Sequence, residues 1–570
     1  MKLTDALSKT LIERGIDTAF GVQGGAAANI FHSLETSGIN VIYTLHEQAA
    51  SLAAASYARA SGKIGCVVVT SGPGGTNTLT GVLGAWQDSV PCIYISGGVR
   101  SPHLSYGKNV RQVGTQDAPI VDIVKPITKY SKVIRGSGNF CMEINKAIDI
   151  SVENRSGPVW IDIPLDVQLL QLSEVKFNQS SNSLNYFSGE LEKYKYVIDY
   201  LNKSDYPLMI LGNGIHQSTM VEEIRNFISN NSVPFVTTWT GQDLFTTKNI
   251  LNLGVIGMSG QKGANQAVFF ADLLLCVGTH LSIPQTTTLT ETFAPQAKKI
   301  IVDIDSEEIK NCNVKFDLSI NSNLQSFIPW LNKQEIPKNK WDSNIKSKFK
   351  DLNWYEPKKQ NGVNSFVYNK HLTSLAPPKS CFIVDGGGTI AYTGFQSTQI
   401  THYEQRIIGS SSMSSMATGL AETVGVFATK KFEKLFCIIG DGSFAMNIQD
   451  LQTISSLKIP VVISVINNNG YLAIRQTQDG FMGSKYYGTH PDWGLKLPDT
   501  EQISKAFDVE YIRLENPNAI NDVSEILLTK RKPIVCEVIV DQDQDILFQQ
   551  KYKHMGGGVS IPQPLSDMHP

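Results

Sequence analysis

The sequence predicts an α/β protein built from three doubly wound parallel-sheet domains. Two observations carry that prediction. Short β-rich apolar runs alternate with helical patterns in three successive blocks, the rhythm of parallel sheets whose strands are buried on both faces. Polar stretches separate the blocks, and 570 residues exceed what a single core supports, at about 150 residues per domain.

Taken in order, the chain opens with MKLTDALSKTLIERG, an amphipathic helix pattern without the apolar centre of a signal peptide. The first domain, residues 1–172, places strands at INVIYTL, KIGCVVVTSGPGG and PCIYISG and closes at GPVWIDIPLDV. QLSEVKFNQSSNSLNYFSG reads as a linker. The second domain, residues 190–332, has strand-like runs at YPLMILGNG, VPFVTTW, ADLLLCVGTHL and KKIIVDID, and a charged stretch from Asn332 to Gly362 ends it. The third, residues 365–541, carries SCFIVDGGG, KLFCIIGDGSF, IPVVISVINNNG and KPIVCEVIV. A tail, residues 542–570, has little regular pattern and reads equally as disorder or as a cover for a site. No short-period repeat interrupts this order.

Composition narrows the function. Hydrophobic residues make up 41% and charged residues 18%, an ordinary globular profile. A net charge of −2 offers no general attraction to nucleic acid or to an anionic membrane. No run of about eighteen apolar residues suggests a membrane span. Eight cysteines are scattered without a CxxC pair, several inside apolar runs, and are expected as reduced buried thiols of a cytoplasmic protein.

The third block concentrates the chemistry. Strand KLFCIIG runs into Gly440-Asp441-Gly442-Ser443, and strand VVISVI into Asn467-Asn468-Asn469-Gly470. Open α/β sheets bind ligands at such carboxyl ends. Asp441 offers a carboxylate, Asn468 an amide oxygen 27 positions later, and Gly470 a carbonyl that turns inward without a Cβ clash. Oxygen ligands completed by phosphate suit Mg2+, and the amides after Gly442, at a helix start, suit a diphosphate. Taken singly, each motif also reads as a plain strand-ending turn.

The pair GDGSF…NNNGYLAIRQTQ resembles the thiamine-diphosphate motif of pyruvate decarboxylases, pyruvate oxidases and acetolactate synthases. FGVQGG and the long run from YTLHEQAA to PCIYISG resemble the pyrimidine-binding domain of acetolactate synthases. The resemblance covers nearly the whole chain and implies a pyrimidine-binding domain, a middle Rossmann-like domain and a diphosphate-binding domain. It implies that Glu47 hydrogen-bonds the cofactor's pyrimidine and promotes the imino tautomer that deprotonates thiazolium C2. A carboxyl at that apolar helix start is expected to hold its proton near neutral pH. As an alternative, Glu47 reads as an ordinary helix-start carboxylate.

By the same resemblance Thr70 and Asn77 line the pyrimidine end, and Gly24 and Gly25 lie near the reacting carbon. Met416 wedges the cofactor into its bent form, in a GSSSMSSMATGLAE segment that departs from the family's glycine-rich version; a core methionine is the alternative. Gln116 matches the glutamine of an FQE motif on the substrate side. The middle domain resembles one that carries FAD, yet the family's GARFDDR is here GTHLSIP. His280 stands where an arginine is expected, and an imidazole does not replace a guanidinium fork on a phosphate. FAD therefore stays open as a third cofactor.

Two departures bear on the substrate. Thr477 in LAIRQTQ and Thr115 in VGTQD replace aromatic residues of acetolactate synthases, which predicts a wider, more polar acceptor pocket. RQVGTQDAPIVDIVKPITKY and the terminal PLSDMHP resemble a branch associated with surface-polysaccharide sugars. The expected reaction is transfer of an acetyl unit from pyruvate to a keto acceptor, in that branch a keto-deoxy nucleotide sugar. Acetolactate synthesis and simple 2-oxo acid decarboxylation are the alternatives; against the second, LHEQ shows one histidine, His46, rather than a pair. The resemblance further implies a homodimer or homotetramer with Glu47 and Asp441 contributed by different chains.

Overall fold

The computed structural model describes residues 1–172, 189–336, 338–357, 360–556 and 559–568. Residues 173–188, most of the stretch read as the first linker, lie outside the described residues. Three six-stranded parallel sheets hold the chain, so the protein is α/β throughout.

The first sheet contains β1 (Thr18–Gly21), β2 (Asn40–Tyr43), β3 (Gly65–Val69), β4 (Cys92–Gly98), β5 (Tyr130–Val133) and β6 (Val159–Pro164) in the order β2-β1-β3-β4-β6-β5. The second contains β7 (Pro207–Leu211), β8 (Phe235–Thr237), β9 (Asn252–Val255), β10 (Leu273–Val277), β11 (Lys298–Asp303) and β12 (Leu318–Asn321) in the order β12-β11-β10-β7-β8-β9. The third contains β13 (Ser380–Val384), β14 (Arg406–Ile408), β15 (Lys434–Gly440), β16 (Val461–Asn467), β17 (Glu510–Leu514) and β18 (Ile534–Ile539) in the order β14-β13-β15-β16-β18-β17. The interior strands β3, β4, β6, β7 and β10 are buried at every residue, which is why they read as continuous apolar runs.

The described chain forms two compact units. One holds the first sheet together with residues 408–433 and 446–459. In it the helix Glu47–Ser61, EQAASLAAASYARAS, packs against the helix Gly419–Ala428. Small residues make that approach close: a Cβ on Gly425 would stand 1.9 Å from the Ala53 carbonyl oxygen. Ser56 Oγ donates to the Glu422 carbonyl at 2.8 Å. Arg59 bridges buried Glu422 and Asp88 at 3.2 and 2.7 Å, so two buried acids share one guanidinium.

The other unit holds the second and third sheets. Asp243 links them, accepting from Arg406 Nε at 2.6 Å and from the Ile407 amide at 2.9 Å. The tail differs from the expected lack of pattern. It forms an antiparallel pair, β19 (Tyr552–Gly556) with β20 (Val559–Pro562). Ile546, Leu547, Phe548, Leu565 and Met568 form a buried cluster with Phe366. Gln266 Nε2 on the helix Lys262–Phe270 donates to the Ser566 carbonyl at 3.1 Å, and Asn265 Nδ2 reaches Met568 Sδ at 3.0 Å. Apolar side chains spaced too irregularly to betray a strand or helix still hold this segment down.

Candidate active site

In the first sheet, Glu47 opens its helix directly after β2. His46 caps that helix, its Nδ1 accepting from the Gln48 amide at 3.1 Å. Glu47 is half-buried, and Asn77 Nδ2 donates to its Oε2 at 2.9 Å. Two residues proposed on separate motifs thus meet. One helical turn on, buried Ser51 donates to the Thr78 carbonyl at 3.2 Å and pairs with Tyr94 Oη at 2.9 Å. Tyr94 stacks on Trp160 with ring centroids 5.2 Å apart. A Cβ on Gly81 would lie 2.0 Å from Ser51 Oγ, so glycine is required for this junction. Ser51 and Tyr94 hold the two segments that carry Glu47 and Asn77, a role that nothing in an alanine–serine helix pattern signals.

Thr70 ends β3. Its Oγ1 accepts from the Ala26 amide at 3.3 Å, and a Cβ on Gly24 would lie 2.5 Å from the Thr70 Cβ. Gly24 is therefore a close-approach glycine, whereas Gly25 faces open space. Gln116 is exposed and takes φ +63°, a left-handed backbone uncommon outside glycine, asparagine and aspartate. Gly72, at φ +63°, packs on it: a Cβ there would lie 2.9 Å from the Gln116 carbonyl. Thr70 and Gln116 line one small pocket of this unit, together with Asp117 and Asp162. Thr115 is exposed beside them. Met416 is half-buried, flanked by Ser414 at φ 49° and Ala417 at φ 66°.

In the third sheet, β15 and β16 are neighbours, which brings the two loop motifs together. Asp441 is buried; its Oδ1 accepts from the Gly442 amide at 2.8 Å and its Oδ2 from the Gly470 amide at 3.0 Å. Burial nonetheless pushes its carboxyl up to about 6, against those donors and nearby Arg475. Asn468 Oδ1 is buried without a hydrogen-bond partner among the described residues. An orphaned amide oxygen beside a buried carboxylate is the donor set of a hard cation, so these residues fit Mg2+. Gly470 has φ +138°, and a Cβ there would lie 2.2 Å from the Thr489 carbonyl oxygen. Gly442 and Ser443 are buried at the start of the helix Asp441–Met446, and a Cβ on Gly442 would meet the Tyr471 ring at 2.1 Å.

Arg475, absent from the motif reading, holds this loop. Buried to 2% exposure, it donates from Nη2 to the Asn468 and Gln542 carbonyls at 3.0 and 2.7 Å and from Nη1 to the Thr489 carbonyl at 3.1 Å. The helix Leu472–Phe481 buries Leu472, Arg475 and Gln478 on one face. An arginine at that period was the available signal, since a buried guanidinium must find acceptors. Thr477 is exposed on the same helix, its hydroxyl turned to the Ala473 carbonyl at 3.2 Å.

In the second sheet, the order reverses between β7 and β10, where an open sheet takes a nucleotide. His280, just beyond β10, has its Nδ1 at 3.7 Å from Glu308 Oε2. An imidazole beside a carboxylate does not fit the phosphate of FAD.

Comparison with known proteins agrees with this geometry. The family described as thiamine pyrophosphate enzyme, N-terminal TPP binding domain, matches residues 1–122; the central domain of that family matches 194–331, and its C-terminal TPP binding domain matches 386–538. The acetolactate synthase large subunit of Lactococcus lactis is 30% identical over 95% of this chain and 92% of its own length. The acetolactate synthase isozyme 2 large subunit of Escherichia coli is 28% identical over 94% of each chain. Chloroplastic acetolactate synthase 1 of Nicotiana tabacum is 29% identical over 96% of this chain and 83% of its own. Similarity over nearly the full length of both partners, in all three domains, carries one conclusion: the chain belongs to the acetolactate-synthase-like family of thiamine-diphosphate-dependent carboligases.

Proposed function

We propose that this enzyme decarboxylates pyruvate and transfers the remaining two-carbon acetyl unit to a keto acceptor, using thiamine diphosphate and Mg2+. The observation that carries the reading is the Asn77–Glu47 hydrogen bond, which fixes a carboxyl at a helix start. When bound, thiamine diphosphate supplies the nucleophilic carbon that the side chains lack. With Oε2 engaged by Asn77, Glu47 holds and releases a proton at Oε1. Asp441, Asn468 and the Gly470 carbonyl hold Mg2+, and the Gly442–Ser443 segment takes the diphosphate. Thr70, Gly24, Gly25 and Met416 shape the cofactor's bed, and Gln116 faces the substrate. Across the reaction the C1–C2 bond of pyruvate breaks with loss of CO2. A C–C bond forms to the acceptor's carbonyl carbon, and its oxygen gains a proton.

The acceptor is a keto compound, in our reading a keto-deoxy nucleotide sugar of surface-polysaccharide synthesis, because Thr115 and Thr477 each put an exposed hydroxyl residue where acetolactate synthases have an aromatic one. The names of the relatives favour a second reading, in which another pyruvate is the acceptor and acetolactate the product. The flavin has no part in the proposed chemistry, since His280 beside Glu308 does not fit its phosphate. Cys66, Cys92, Cys276 and Cys536 are buried thiols, in keeping with a reducing cytoplasm, and no helix among the described residues is long and apolar enough to cross a membrane. The working unit is a homodimer or homotetramer.

Product analysis by NMR and mass spectrometry tests the reading. With thiamine diphosphate, Mg2+ and pyruvate alone, slow turnover and little acetolactate are expected, rising when a keto-deoxy nucleotide sugar is added. Rapid, abundant acetolactate that such an acceptor does not divert decides for the second reading.

A further inference from the structure

The small pocket beside Gln116 contains more than the proposed function uses. Its floor carries two acids from different segments. Asp162, on β6, lies in register with Ser96 on β4. Ser96 Oγ donates to Asp162 Oδ1 at 2.5 Å and accepts from Trp160 Nε1 at 2.9 Å. Asp162 Oδ2 faces Gly98, where a Cβ would lie 2.8 Å away. Asp117 follows Gln116 in the strained loop. Its Oδ2 accepts from the Val113 amide at 3.1 Å, but its Oδ1 is buried without a hydrogen-bond partner among the described residues. Asp117 is 8% exposed and Asp162 3%.

An unpaired buried carboxylate oxygen costs free energy unless a donor arrives. Burial pushes Asp162 up to about 6, and the charge of Asp117 adds to that push, so the two acids sense one another across the pocket. The same pocket is lined by Thr70, Ser71, Gly72 and Gly75, on the turn that continues into Asn77 and its bond to Glu47. Pocket and candidate catalytic acid therefore share one short turn.

We propose that this pocket is a hydroxyl subsite: Asp117 Oδ1 accepts a hydrogen bond from a hydroxyl group that the keto acceptor carries next to its carbonyl. The inference rests on the keto-acceptor reading and narrows it to α-hydroxy ketones and sugars of that kind. The Val113 amide orients Asp117, Asp162 and Ser96 line the same pocket, and Asp117 is a specificity-determining residue. A site built to receive a hydroxyl rejects the analogue lacking it far more strongly than an apolar site rejects an extra hydroxyl.

The test uses the full-length enzyme with thiamine diphosphate, Mg2+ and pyruvate, and two matched acceptors, hydroxyacetone and butanone, which differ by a hydroxyl for a methyl. The wild type is expected to favour hydroxyacetone in kcat/KM by roughly 30-fold, as for a hydrogen bond to a charged group. Asp117→Asn and Asp117→Ala should cut that ratio about tenfold or more. Thiamine diphosphate affinity, read by tryptophan fluorescence, should stay within about twofold. Transfer to both ketones at a ratio that neither variant alters overturns the subsite and leaves the acceptor reading standing. Pyruvate turnover with transfer to neither ketone overturns the acceptor reading, and the subsite with it. Equal losses in every activity, or a lost cofactor affinity, show Asp117 to be structural and also overturn the subsite.

Discussion

Asn77 Nδ2 sits 2.9 Å from Glu47 Oε2, joining the end of a glycine-rich turn to the first residue of a buried helix. The bond selects which carboxyl oxygen is available for proton exchange. Glu47→Gln keeps the shape and removes the proton-holding group. It should lower pyruvate turnover by about 10²–10⁴-fold, the span of general acid–base effects, with no change in the thermal unfolding midpoint. Unchanged turnover would falsify the role given to Glu47.

Tyr94→Phe removes one hydroxyl from the Tyr94–Ser51–Thr78 junction and keeps the stack on Trp160. A positioning role predicts a lower kcat, by about tenfold, with an unchanged KM for pyruvate. Weaker thiamine diphosphate binding by calorimetry should accompany it. A lower unfolding midpoint with kcat intact would reduce the junction to packing.

Arg475 ties three backbone carbonyls around the Asp441–Asn468 pair. A lysine carries a point charge where a planar fork is needed. Arg475→Lys is expected to raise the Mg2+ concentration needed for half-maximal cofactor binding by about 10–100-fold, the usual cost of losing support behind a metal ligand. Titration of cofactor binding with Mg2+ checks this, and an unshifted midpoint refutes it.

Asp450 is buried at the start of the helix Asp450–Ser456, and both its carboxyl oxygens lack hydrogen-bond partners among the described residues. Burial pushes it up to about 7. A folded-state value above the unfolded one means that folding favours the protonated acid. Its stabilising share is full below about pH 4 and is lost as pH rises through about 7, by about 4 kcal/mol in the limit. Asp450→Asn should abolish that loss and raise the unfolding midpoint by a few degrees at pH 8, with little effect at pH 4. A midpoint that drops at pH 8 would mean that the ionised acid has a partner.

Ser414 is exposed and holds φ 49° in a segment where the family pattern is glycine-rich. Left-handed backbone costs a residue with a Cβ about 1–2 kcal/mol, and glycine gives back about 0.5–1 kcal/mol in chain entropy. Ser414→Gly should therefore stabilise the enzyme by about 0.5–1 kcal/mol in denaturant unfolding. A destabilised variant would show that the Ser414 Oγ bond to the Ser411 carbonyl outweighs the strain.

Interior strands were legible in the sequence and edge strands, β2 in INVIYTL excepted, were not. β5, β9, β12, β14 and β17 escape the pattern reading, and each is the outer strand of its sheet. β5 is half-buried throughout, and β17 has one buried residue in five, so neither presents a continuous apolar run. Only β1, four residues long, was missed inside a sheet, for want of length. At the site, the motifs exposed the residues placed at strand ends, Asp441, Asn468 and Glu47. Those that support them, Ser51, Tyr94, Asp162 and Arg475, lie on strand and helix interiors, where sequence pattern shows only periodicity and a partner from elsewhere in the chain decides the role.

The docking of Ser566 and Met568 against the helix Lys262–Phe270 bears on how such enzymes diversify. Three similar sheets invite the exchange of whole domains by recombination. Here a middle domain brought in from a relative would arrive without the partner that Asn265 and Gln266 hold. Inheritance of the second domain is therefore bound to that of a stretch about three hundred positions downstream, and the two should change together or not at all.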